Sequence, residues 1–188
     1  ITVSQMGQRY AIDHTHADRL TKTALDLFDQ VTLAASEDDL EPAERRQTLD
    51  WGCQLAEIGL AISHDSYHKH SAYVLSNADM QGFSRSEPRL LATLALGQTG
   101  GLRKMRSIVR NRNEWLMVLC LRLASVMHRR RDDEPRPMPK LTLNKNKVTI
   151  ELPKQWAQAH PLTDGTLASE AQTWQDVSAF DSVDYKTV

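Results

Sequence analysis

The segment that most constrains the fold is the run EWLMVLCLRLASVM, residues 114–127. Its side chains are apolar nearly all round a helix, which is the pattern of a central helix buried in a bundle. Asn113 directly precedes the run, and asparagine is a favoured N-cap residue, so we expect the helix to begin there. Other helices must then cover this one.

Apolar residues at three- and four-residue spacing predict four further helices before the central one. The expected ranges are 16–34, 42–62, 68–78 and 84–98. Asp13 is placed to cap the first helix, and Pro42 opens the second. Ser84 and Glu87 form a capping box for the fourth, which Gly100 and Gly101 end.

The helical pattern of the sequence ends at DDEPRPMP, because closely spaced prolines cannot continue a helix. Beyond it, LTLN and VTIEL alternate around the turn at Lys145 and Asn146, which predicts a hairpin, and SVDYKTV predicts a further strand. Two short helices, in PKQWAQAH and LASEAQTW, lie between them. We therefore expect a mainly α fold with a small α+β appendage, divided into residues 1–131, a linker at 132–139, and 140–188.

Positive charge is concentrated in one part of the chain. Residues 101–131 carry nine Lys and Arg but one acidic residue, although the whole chain has a net charge of −1. Clustered cations raise the local concentration of polyanions, so this segment predicts an anionic partner. The alternative is a solvated face paired with the acidic segments SEDDLEPAE and Asp132–Glu134.

Arginines dominate the basic segment, and their spacing predicts one binding face. Arg103, Arg106 and Arg110 would share a side of a helix and meet consecutive phosphates of an extended chain. Lys104, Arg112 and the cluster at 129–131 extend this face, although the cluster could instead cap a helix C-terminus electrostatically.

The cysteines and the start of the chain carry no site or targeting signal. Cys53 and Cys120 lie inside apolar helical runs, which favours buried free thiols. No apolar run approaches the roughly 20 residues that cross a bilayer, and ITVSQMGQRY has no signal-peptide pattern. We expect a cytoplasmic location and no membrane contact.

The run WGCQLAEIGLAISHDSYHKHSAYVLSNADMQGFSRSE resembles the C-terminal, HD-like region of the exopolyphosphatase/guanosine pentaphosphate phosphatase family. The resemblance rests on residues 55–59, 62–64, 68–73, 79 and 82–85. It implies an HD-like helical bundle. It also implies that Lys69, His70 and Arg85, which lie in the motif, line a channel for polyphosphate together with the basic segment.

The resemblance implies a longer parent enzyme, a phosphoanhydride hydrolase whose active site lies in an N-terminal actin-like domain. The eight glycines form no glycine-rich turn between a strand and a helix, so we expect this chain to lack that phosphate cradle and to be non-catalytic alone. The implied ligands are polyphosphate or guanosine pentaphosphate, and a homodimer is a further expectation. No cofactor is expected here, while a divalent cation such as magnesium is implied for the parent.

An independent metal site is not expected, although the HD framework of ligand positions is traceable. His16 matches the first ligand, but Ala56-Glu57 replaces the His-Asp pair and Ser125 replaces a later Asp. His68 and His70 point about 200 degrees apart on a helix and cannot both bind one ion. We interpret His64, His68 and His70 as structural or phosphate-facing donors.

The alternatives belong to different classes. One is a non-catalytic module that binds nucleic acid or another polyanion, which competition between RNA and polyphosphate would distinguish. Another is an active HD metallohydrolase, against which Ala56 and Ser125 argue. Metal analysis distinguishes that class.

Overall fold

A computed structural model describes residues 2–31, 40–80, 82–83 and 86–188. Within them the fold is mainly α with one small sheet, as predicted. The helices are α1 (Val3–Arg9), α2 (His14–Val31), α3 (Pro42–Leu55), α4 (Tyr67–Asn77), α5 (Ser86–Gly97), α6 (Arg112–Met127), α7 (Lys154–Ala159) and α8 (Pro161–Thr173), and the strands are β1 (Lys140–Asn144), β2 (Lys147–Leu152) and β3 (Ser182–Thr187).

Helix α6 is the centre of the molecule, as its apolar pattern predicts. Its residues from Leu116 to Ala124 are all buried, and α2, α3, α5 and α8 contact it. Arg122 is the one charged residue within that stretch. Because other helices cover α6, the Arg122 charge needs a partner inside the protein. That ion pair forms part of the candidate site.

The predicted N-cap of α2 is confirmed, whereas the predicted N-cap of α6 is wrong by two residues. The Asp13 carboxylate accepts a hydrogen bond from the His16 backbone N–H at 3.1 Å. For α6, Asn111 and not Asn113 is the N-cap, since its side chain accepts from the Glu114 N–H at 2.9 Å. The capping box predicted at Ser84 lies outside the described residues.

Helix α3 ends at Leu55, earlier than predicted, and a 3₁₀ turn, Ile58–Ala61, follows. The reason is a close contact between Gly59 and α4. The Gly59 N–H donates to the Ser71 hydroxyl at 2.8 Å, and a Cβ on Gly59 would lie 2.1 Å from the Tyr67 carbonyl oxygen. Only glycine allows the turn to approach α4 so closely.

The predicted hairpin and third strand are present. Strand β1 pairs antiparallel with β2, with Leu141 opposite Ile150, and β2 pairs parallel with β3. Lys145 adopts a φ of 57° at the turn between β1 and β2. Ile150 and Val183 face the main core.

Residues 132–139 contain neither helix nor strand, and one apolar core includes residues from both sides of this segment. Leu20 and Phe28 of α2 belong to the same buried cluster as Leu141 and Val148 of the sheet. The Gln30 side chain also binds the chain here, donating to the Pro139 carbonyl at 3.0 Å and accepting from the Leu141 N–H at 2.8 Å. The division of the chain at this segment stays a prediction.

Candidate anion-binding cavity

A cavity of about 420 Å³ opens between α2, α6 and α8, and we call it the anion cavity. The three HD framework positions meet in its wall, although they are far apart in sequence. His16, Glu57 and Ser125 all line it. His16 is buried, and its Nε2 lies 3.7 Å from a Glu57 carboxylate oxygen. The Ser125 hydroxyl donates to the Leu121 carbonyl of its own helix at 3.0 Å.

An arginine holds the carboxylates at this end of the anion cavity. The Arg131 guanidinium pairs with Glu57 and lies 3.6 Å from Asp13. Burial lowers the pKa of His16 despite the attraction of Glu57, and the nearby Arg131 charge lowers it further. A permanent cation therefore already pairs with both acidic groups. Throughout the described ranges, no group of three or more His, Cys, Asp or Glu side chains is arranged to hold a metal ion.

The opposite wall carries a buried ion pair. Arg122 of α6 and Glu170 of α8 both line the anion cavity, and Glu170 also accepts from the Trp174 indole N–H at 2.8 Å. Arg122 donates in addition to the Gly97 carbonyl at 2.9 Å. Each charge is thus satisfied, and the pair fixes the end of α5 and the C-terminal half of α6 against α8.

Cations gather beside the anion cavity at Gly100, and we call Lys69, Lys104 and Arg122 the Lys104 cluster. Burial lowers the pKa of Lys104, and Arg122 and Lys69 lower it further. The pKa of His68 is lowered first by burial and then by Lys104 and Lys69. The Lys104 ammonium donates to the carbonyl of Thr99, a residue of the cavity wall, at 2.9 Å. Mutual repulsion of this kind is relieved when an anion binds.

The expectation that Arg103, Arg106 and Arg110 share one side of a helix is wrong. Residues 103–105 form a single 3₁₀ turn, and α6 begins only at Arg112. Leu102 and Met105 are both fully buried, and this spacing of three residues suits a 3₁₀ turn anchored in the core. The arginines therefore do not share one helical face.

Two of these arginines contact Asp176 in the turn after α8. Arg103 lies 3.5 Å from the Asp176 carboxylate, and Arg106 donates to its backbone carbonyl. Arg112 donates to the Lys145 carbonyl at 3.1 Å, while the side chain of Arg110 is exposed. Their role in binding polyphosphate stays a prediction.

The motif residues are divided between packing and exposure. Gly59 and Ser71 are structural, since they join the 3₁₀ turn to α4. On the same helix Lys69 is exposed, and His70 is partly exposed. Arg85 lies outside the described residues.

Sequence reasoning missed several residues of the site. Glu170 and Thr166 come from α8, which showed no motif, and they line the anion cavity only because α8 packs on α6. Arg136 was also missed, although it donates to the Met127 carbonyl at 2.6 Å and so caps α6. No local sequence pattern marks these residues, because each contacts a residue that is not its neighbour in the same helix. Glu170 and Thr166 lie in a different helix from the residues they face, and Arg136 is separated from Met127 by a segment without regular structure.

No helix in the described part of the chain is both long and apolar enough to cross a bilayer.

The comparison with protein families agrees with the resemblance of the motif region. A model of the family described as Ppx/GppA phosphatase, domain III, matches residues 1–171. The match covers α1 to α7 and most of α8, including every residue of the anion cavity except Thr173. The chain therefore belongs to the Ppx/GppA phosphatase domain III family.

Proposed function

We propose that this chain holds polyphosphate for an exopolyphosphatase-type hydrolase, which releases terminal phosphate from the polymer at a separate catalytic domain. That domain is an N-terminal actin-like fold, and a divalent cation such as magnesium serves it and not this chain. The assembly is a cytoplasmic homodimer. The chain itself supplies positive charges that hold the polymer in place, and it supplies no catalytic group.

The Lys104 cluster carries this proposal. The charges that lower the pKa of Lys104 are those of Arg122 and Lys69, and Arg122 is already bound to Glu170. Like charges on Lys69 and Lys104 repel each other, and an anion bound near both would relieve that repulsion. A polyphosphate chain supplies regularly spaced negative charges, and it needs no base recognition.

The remaining basic residues extend the path. Arg103 and Arg106 lie around Asp176, and Arg110 is exposed beyond them. Charge spread along such a surface suits an extended polymer better than a compact anion. Arg112, His70 and Arg85 complete the proposed set.

Binding of polyphosphate to variants of the 188-residue chain tests the proposal. Lys69→Glu and Lys104→Gln should each weaken binding by about tenfold at low salt, since charged hydrogen bonds contribute on the order of 1.5 kcal/mol. Lys22→Glu is the control, because Lys22 is exposed on α2 and lies outside the cavity wall. Equal losses for Lys22→Glu and Lys69→Glu would show only a general charge effect and contradict the proposal.

A further inference from the structure

Strand β3 lies at one edge of the sheet, whose strand order is β1-β2-β3. The residue that follows β3 shows how the strand is oriented. The Val188 N–H donates to the Leu152 carbonyl at 3.0 Å, and the Val188 carbonyl accepts from the Lys154 N–H at 2.8 Å. Both backbone groups of Val188 therefore face β2. Because these groups alternate between the two sides of a strand, every second residue of β3 faces β2 and the others face outward.

The outward-facing residues of β3 are Val183, Tyr185 and Thr187. No hydrogen bond joins their backbone groups to any other described segment. The opposite edge of the sheet is different, because the Leu141 N–H of β1 is already bonded to the Gln30 side chain. An edge with unpaired N–H and C=O groups is a template for a further strand, so β3 can accept one.

The side chains of β3 carry opposite charges on its solvent face. Tyr185 points to α8, where its hydroxyl donates to the Asp164 carboxylate at 2.6 Å. Asp184 and Lys186 therefore point to the other face, and both are exposed. Lys186 lies 3.2 Å from Glu151 of β2, whereas no described residue pairs with Asp184. The edge thus has one negative and one positive side chain, placed symmetrically about Tyr185.

We propose that the β3 edges of two copies of this chain pair antiparallel about a two-fold axis at Tyr185 and join the two sheets into one. The outward-facing residues then form the hydrogen-bonded pairs, with Tyr185 opposite the partner's Tyr185 and Val183 opposite the partner's Thr187. Between these pairs, Asp184 lies opposite the partner's Lys186, and symmetry forms this contact twice. Such a contact is self-complementary and closes at two subunits.

Charge selects this register from its neighbours. An axis at Asp184 would place two carboxylates directly opposite each other, and an axis at Lys186 would do the same with two ammonium groups. Like charges in these positions destabilise a sheet. Of the three axes, only the one at Tyr185 pairs opposite charges. The proposed function includes a homodimer, and this inference rests on that part of it and names the contact surface.

Sedimentation equilibrium of the full chain and its variants tests the inference. The parent chain should form a dimer, whereas Asp184→Lys and Lys186→Asp should each weaken dimerisation by about tenfold, because each places like charges opposite one another twice. When the two variants are mixed, they should dimerise with each other, since one supplies two lysines and the other two aspartates. Lys22→Glu, at an exposed position on α2, is the control and should dimerise like the parent chain.

Thr187→Pro tests the backbone pairing separately. The Thr187 N–H faces outward, so proline removes a donor at the edge and no hydrogen bond to β2. The variant should lose the dimer, and its far-ultraviolet circular dichroism should match that of the parent chain.

Two results would overturn the inference. One is a monomeric parent chain, which would also remove the homodimer from the proposed function. The other is a dimer that neither charge variant nor Thr187→Pro weakens, because the contact would then lie elsewhere and only the inference would fail. Titration with polyphosphate measures the binding part of the proposed function independently of both.

Discussion

Arg122 and Glu170 form a doubly hydrogen-bonded ion pair inside the molecule, with Nε 2.8 Å from Oε2 and Nη2 2.9 Å from Oε1. Both side chains are less than a tenth exposed. The pair joins α6, in the part predicted as the helical domain, to α8, in the part predicted as an appendage. Because the apolar core also crosses this division, we expect the chain to unfold in one transition.

Glu170→Ala should therefore destabilise the protein strongly. It leaves the buried Arg122 charge without its partner, and breaking a buried pair in this way costs about 3–5 kcal/mol. Lys186→Ala is the control, since its pair with Glu151 is more than half exposed on the lysine side and should contribute under about 1 kcal/mol. Urea unfolding measures both. Similar losses from the two variants would show that the buried pair has no special role.

Gly59→Ala should destabilise the contact between the 3₁₀ turn and α4. The new Cβ would lie 2.1 Å from the Tyr67 carbonyl oxygen and 2.5 Å from the Ser71 nitrogen, and backbone atoms have little room to move. We expect a loss of about 1–3 kcal/mol. Gly165→Ala in α8 is the matched control, because nothing lies within 4 Å of its Cβ and alanine favours the helix. If Gly59→Ala is as stable as Gly165→Ala, the contact is looser than described.

Acid should destabilise the protein through His128. Burial, with Arg136 as the next cause, lowers the pKa of His128 from 6.5 to about 4. The unfolded state then binds the proton more readily, so stability is complete above about pH 6.5 and falls as the pH drops toward 4. The loss amounts to as much as about 3 kcal/mol.

Thermal unfolding between pH 7 and pH 4 checks this expectation. His128→Gln removes the titration while keeping a polar group beside the Thr23 hydroxyl, which lies 2.7 Å from His128 Nε2. Its stability should change less over the same range than that of the parent chain. Exposed His64→Gln should behave like the parent. The expectation fails if the three pH profiles coincide.

Sequence reasoning identified the fold where the pattern is local and failed where packing decides. The run 114–127, which is apolar nearly all round a helix, predicted the buried helix, and the turn at Lys145 predicted the hairpin. The segment around Arg106 shows the limit. Its charges suggested a helical face, but residues 103–105 form a single 3₁₀ turn, with Leu102 and Met105 buried in the core.

The candidate site was predictable only in part for a similar reason. His16, Glu57 and Ser125 were traced as framework positions, and they do line one cavity. Arg131, which pairs with Glu57, and Glu170, which pairs with Arg122, carry no motif, and their positions depend on how distant parts of the chain pack together. An ion pair between elements 48 residues apart leaves no periodic signal in the sequence.

The isolated chain should hydrolyse neither polyphosphate nor guanosine pentaphosphate. Arg131 already pairs with Glu57 next to His16, so a metal ion bound by these two side chains would meet a guanidinium charge. Release of orthophosphate by the purified chain is the measurement. Release that a chelator and His16→Ala both abolish would contradict this expectation and support a metallohydrolase.

Polyphosphate binding should weaken steeply with salt, and the slope should count the contacts. For single-stranded nucleic acids, log affinity falls by about 0.7 per contacted phosphate for each log unit of salt, and polyphosphate is expected to behave similarly. Arg106→Gln should therefore reduce the slope by about 0.7 if its side chain leaves the Asp176 carbonyl to meet a phosphate. Arg46→Gln is the control, since Arg46 is paired with Asp29 and lies outside the basic segment. Titrations at several salt concentrations, with thermal unfolding of each variant, distinguish the roles of Arg106. An unchanged slope with lowered stability would show that Arg106 only holds the turn at Asp176.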